Sequence, residues 1–136
     1  MTKLQTGLLC ILCLTLSACA THTSLNEEFD RSVKAYNRML RWHEIENAGA
    51  TYIDQEQQAE YQKQAETLKK KGLSITDFRI LASRDVPEKK TVEVTAEFDY
   101  FMLPSNRIKT ISYRQEWIYR DTIKSWKQKN ALPVFE

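Results

Sequence analysis

Glycine and proline are scarce in this chain, three of each among 136 residues. So few turn formers imply long regular elements, and no glycine-rich loop is available to cradle a phosphate. Cysteine is equally limited: Cys10, Cys13 and Cys19 all lie in the first twenty residues. Beyond them neither a disulfide framework nor a Cys-ligated metal can form, so stability has to come from a packed core. Charge of one sign is missing as well. Twenty Lys+Arg against 18 Asp+Glu leave a net charge of +2 mixed along the chain, which argues against a nucleic-acid binder built on a basic patch. No apolar run reaches the roughly 20 residues that span a bilayer, and the length supports one domain.

What the N-terminus does contain is an address. Lys3 precedes an apolar run from Gly7 to Leu16, which closes in Leu16-Ser17-Ala18-Cys19. A positive start, a short apolar stretch and small residues before a cut site describe a secretory signal. The last four residues resemble the lipobox of bacterial lipoproteins. That resemblance implies cleavage between Ala18 and Cys19, a diacylglycerol thioether on Cys19 and acylation of its amine. It also implies the outer membrane, facing the periplasm, because Ala20 rather than Asp follows the Cys; without an outer membrane the place is membrane-anchored and extracytoplasmic. A single myristoyl chain anchors only marginally, whereas two or more chains on Cys19 attach a protein to the lipid bilayer stably. The expected layout is a signal peptide over 1–18, lipidated Cys and tether over 19–24, and one domain over 25–136.

Ser24-x-x-Glu27 reads as a capping box. Phe29, Val33, Tyr36, Leu40 and His43 recur at spacings of four, three, four and three, which predicts a helix to about Asn47, ending near Gly49. A second helix is expected after Asp54, with Tyr61, Ala65 and Leu68 as a thin apolar stripe and Gly72 as its stop. The period then changes to two. Thr76, Phe78, Ile80 and Ala82 predict one strand and Val92, Val94, Ala96, Phe98 and Tyr100 a second. Ile111, Tyr113, Gln115, Trp117 and Tyr119 predict a third, and Trp126 anchors a fourth. The tail from Ala131 to Phe135 is expected to dock on an apolar end.

Two helices followed by four antiparallel strands make an α+β domain, the first helix packed on one sheet face. The long leading helix and the closing aromatic pattern of Trp117, Tyr119 and Trp126 resemble the nuclear transport factor 2-like (cystatin-like) superfamily. This resemblance covers roughly Leu25 to Phe135 and implies a four-stranded curved sheet, a cystatin-like roll. Some members of that superfamily are isomerases or dehydratases, but no catalytic position of theirs matches a residue here.

The chemistry-bearing residues are few. His43-Glu44-Ile45-Glu46-Asn47 begins like a zinc-protease motif but has Asn where the second His is required, so two imidazoles cannot share one metal. There is no Gly-x-Ser-x-Gly elbow and, after Cys19, no free thiol. Glu97 and Asp99 share a sheet face, most simply the wet one. Tyr36, His43, Tyr113, Gln115 and Trp117 could line a helix–sheet cavity for a small apolar ligand, or fill the core instead. The expectation is a non-enzymatic envelope module without cofactor or metal. Its partners would be the bilayer, through Cys19, and another envelope protein.

Overall fold

Residues 24–136 are described in the computed structural model. Leu16-Ser17-Ala18-Cys19, with the cleavage and lipidation expected there, lie outside the described residues. The chain divides between Val33 and Lys34. Residues 24–33 are the opening turns of helix α1 (24–41), where Ser32 Oγ donates to the Glu28 carbonyl at 2.8 Å. Lys34–Glu136 is the body described below.

In the body, α1 buries Tyr36, Asn37 and Leu40. Its apolar period predicts continuation to about Asn47, but the helix ends at residue 41. His43 adopts the left-handed conformation, φ 65°. Its N–H donates to the Leu40 carbonyl at 3.2 Å, and the Glu44 N–H to the Met39 carbonyl at 2.9 Å. These are the two bonds of a Schellman stop, whose left-handed position usually holds glycine. A separate helix α2 (Ile45–Tyr52) follows, so three α-helices stand among the described residues where two were expected.

Gly49 does not stop α1; it lies inside α2. A Cβ there would stand 2.1 Å from Tyr61 Cε1, so the bare backbone is what lets that ring seat. Tyr61 belongs to α3 (Gln58–Lys70), which a short 3₁₀ turn, Gln55–Gln57, precedes. Tyr61, Ala65 and Leu68 are its buried residues, as their spacing predicts. Gly72, φ 73°, ends it with its N–H on the Lys69 carbonyl, again as predicted.

Strands β1 (Leu73–Val86), β2 (Thr91–Met102), β3 (Lys109–Arg120) and β4 (Ser125–Gln128) form one antiparallel sheet in sequential order. The sheet is open, with β1 and β4 at its edges. On β2, Val94, Ala96, Phe98 and Tyr100 are buried as the alternation predicts, whereas Val92 is only half-buried and Thr91, expected on the opposite face, is buried. Strand β1 departs from prediction because its register shifts between Ile75 and Asp77 and between Ile80 and Ala82. Each bulge adds a residue and resets the face. Ile80 therefore pairs with Ala96 while Ala82 pairs with Thr95, and the expected face of Thr76, Phe78, Ile80 and Ala82 is not continuous. The tail docks as anticipated: Leu132 and Phe135 are buried, and Phe135 meets Tyr100 edge to face at 4.8 Å.

Candidate functional site

Helix periodicity aims Tyr36 and Asn37 from α1 at the sheet, and strand alternation turns Tyr113, Gln115 and Trp117 of β3 to meet them. Trp117 stacks edge to face on Tyr36 at 5.7 Å. The Gln115 amide is the hub of a polar cluster. Its Nε2 donates to Asn37 Oδ1 at 2.7 Å and to the Tyr113 hydroxyl at 3.1 Å. Its Oε1 accepts from Asn37 Nδ2 at 3.3 Å and from Trp117 Nε1 at 3.1 Å. Gln128 Nε2 of β4 also donates to the Tyr113 hydroxyl, at 3.4 Å. The Tyr36 hydroxyl donates to that of Tyr61 at 3.4 Å, which donates to the Ile45 carbonyl at 3.0 Å.

Burial pushes the phenols of Tyr36, Tyr61 and Tyr113 above the usual tyrosine range, so these hydroxyls stay neutral. Tyr36, Gln115 and Trp117 expose no surface. A side chain with nothing exposed cannot touch a ligand, so the three fill the core and line no open cavity in this structure. His43 does not join them. It is exposed at the end of α1, and its Nε2 lies 3.0 Å from Ser74 Oγ. The same helix break that ends α1 carries its ring away from the Tyr36 stripe. Of the five expected lining residues, four are thus brought together and one is not.

Sequence reasoning missed Asn37, Tyr61 and Gln128 as cluster members. Asn37 had a visible signal, since it is a polar residue directly beside Tyr36 on an otherwise apolar helix stripe. Gln128 had none.

Surface grooves are the second feature. One, about 560 Å³, is lined by Ala50, Ile53, Asp54, Glu56, Arg120 and Ile123 among others. Asp54 is almost fully buried and pairs side-on with Arg120: Nε donates to Oδ1 at 3.1 Å, and Nη2 donates to Oδ2. The Arg120 hydrogen bonds hold the Asp54 carboxyl below its ordinary range, against burial, which pushes it up. Lys127 Nζ donates to the Thr51 carbonyl at 2.5 Å. Asp54, Arg120 and Lys127 are thus engaged by the protein itself, and the apolar surface of the groove comes from the exposed Ala50 and Ile123, with Ile53 buried beneath. A smaller groove of about 300 Å³ runs between α3 and the tail, past Lys63, Leu68, Leu132 and Val134.

Glu97 and Asp99 do share a sheet face. Arg79 holds both, with Nη1 and Nη2 each 2.9 Å from an Asp99 oxygen and Nε 2.9 Å from Glu97. The Arg79 and Thr110 hydrogen bonds lower the Asp99 carboxyl to about 2. A carboxylate that hard to protonate is a poor proton shuttle near neutral pH. Comparison of the chain with protein-family models, with curated proteins and with solved structures finds no match.

Proposed function

We propose that this chain is a lipid-anchored protein of the cell envelope, held by acylated Cys19 at the periplasmic face of the outer membrane. Its α+β domain binds another envelope protein and works without catalysis. The observation that carries this reading is Leu16-Ser17-Ala18-Cys19 standing at the end of a short apolar run. The groove edged by Ala50 and the exposed Ile123 supports the binding role, because it can seat an apolar side chain while Asp54 and Arg120 stay paired with each other. The finer fold reading, a roll of the nuclear transport factor 2-like type, is supported by helices leading into four sequential antiparallel strands.

Replacing Cys19 with Ala tests the anchor. Palmitate labelling is lost and the protein leaves the membrane fraction; unchanged labelling and fractionation would sink the reading. Photo-cross-linking from Ile123 in intact cells tests the binding role. A reproducible protein adduct supports it, and a chain that cross-links to nothing removes it.

A further inference from the structure

Residues 31–43 hold four basic side chains and no acidic one: Arg31, Lys34, Arg38 and Arg41. Lys34, Arg38 and Arg41, spaced four and three apart, share one face of α1. Lys34 and Arg38 are exposed, Arg41 is half-buried, and none lies on the buried face of Tyr36, Asn37 and Leu40. Trp42 follows, 64% exposed, with the Arg41 guanidinium carbon 5.3 Å from its ring centroid.

Two contacts bring the β2–β3 turn to this same end of the body. His43 bonds to Ser74 at the start of β1, and the Leu103 N–H donates to the Gly72 carbonyl at 3.3 Å. That turn exposes Leu103 (60%) and Ile108 (59%). Arg107 and Lys109 flank Ile108, Lys109 Nζ donating to the Glu136 carbonyl. The acids of the α1–α2 joint are Glu44, which is exposed, and Glu46, which pairs with Lys69 at 3.4 Å.

Trp42, Leu103 and Ile108 are exposed apolar side chains set among cations. They have the composition of a surface that sits at the headgroup boundary of a bilayer. We propose that this end of the body rests on an anionic lipid surface. Trp42, Leu103 and Ile108 enter the headgroup boundary, and Lys34, Arg38, Arg41 and Arg107 meet lipid phosphates. The proposal rests on the anchored reading for the membrane it meets, and adds a second contact that orients the domain on it.

The test uses the full chain as cells process it, reconstituted in vesicles of brominated phosphatidylcholine with about 30% phosphatidylglycerol as the anionic lipid. Trp42 emission is read as the difference between wild type and Trp42→Phe. The expected result is quenching of Trp42 that weakens in high salt and in Arg38→Glu/Arg41→Glu. The ratio of docked to lifted domain, read from Trp42 quenching, should fall about fivefold for each basic charge removed.

A chain that co-floats with the vesicles while Trp42 stays bright overturns the proposal and leaves the anchor intact. Quenching that is equal in purely zwitterionic vesicles overturns it as well. A Cys19→Ala chain that floats undiminished with Trp42 quenched keeps this surface and sinks the anchor. A chain that does not float at all sinks both.

Discussion

Gly49 shows how one missing side chain can govern the packing of two helices. Alanine is the better helix former by about 1 kcal/mol in an exposed interior position, so propensity alone would predict that Gly49→Ala stabilises α2. The space says otherwise, because the new Cβ would fall 2.1 Å from Tyr61 Cε1. Tyr61 has little freedom to yield, since its hydroxyl is tied to the Ile45 carbonyl and the Tyr36 hydroxyl. Gly49→Ala is therefore expected to lower stability by about 1–3 kcal/mol, the usual range for overpacking. Urea denaturation decides the sign, and a stabilised variant would show that the ring can move. His43 presents a different balance. Glycine there removes the left-handed strain but also the bond to Ser74 Oγ; each is worth about 1 kcal/mol, so His43→Gly is expected to be nearly neutral. His43→Ala keeps the strain, loses the bond and should cost about 1 kcal/mol by the same measures. If alanine proves as stable as glycine, backbone strain is not what makes His43 unusual.

At the scale of elements, α1 and the sheet are joined by an amide pair as well as by apolar packing. Gln115→Leu is nearly isosteric, but it strips partners from Asn37, Tyr113 and Trp117 at once. A buried polar group left short of a partner costs about 1–3 kcal/mol, and Tyr113 keeps its bond from Gln128, so the loss should be about 1–3 kcal/mol. Adding Asn37→Leu removes the amide that faced Gln115. The double variant should then be more stable than the sum of the singles predicts, with a coupling of about 1–2 kcal/mol. Additive singles would mean that the amides do not act as a pair. Elements were legible where one period runs undisturbed: β2 alternates from Val94 to Tyr100, and α3 repeats Tyr61, Ala65 and Leu68 up to Gly72. They were illegible where the signal is made by an unusual residue. The α1 stop uses His43 instead of glycine, so the apolar stripe runs through it, and two bulges in β1 carry no glycine or proline to mark them. Tyr36, Tyr113, Gln115 and Trp117 could be grouped from their faces alone. Asn37 pairs with a residue 78 positions away, and no local pattern reveals that.

For the whole molecule, pH reports which charges and hydroxyls the fold holds in place. The Asp99 carboxyl is lowered to about 2 by Arg79 and Thr110, against about 3.9 in an unfolded chain. Asp54 is lowered by Arg120 and Glu93 by Arg84. Lowered folded values mean that the unfolded chain binds more protons in acid. Their contribution is therefore complete above about pH 4 and is lost as the pH falls through about 2. The tyrosines act at the other end. Burial raises Tyr36, Tyr61 and Tyr113, so their contribution is complete below about pH 10, where unfolded tyrosine begins to ionise, and declines above it. Urea midpoints measured from pH 2 to 11 should thus show a plateau between two limbs of different origin. Arg79→Met returns Asp99 toward its ordinary value and should flatten the acid limb while leaving the alkaline limb in place. Tyr113→Phe should do the reverse, softening the alkaline limb alone. If Arg79→Met lowers the whole curve without changing its slope below pH 4, the Arg79–Asp99 pair does not set the acid limit, and the buried Asp54–Arg120 pair becomes the group to change next.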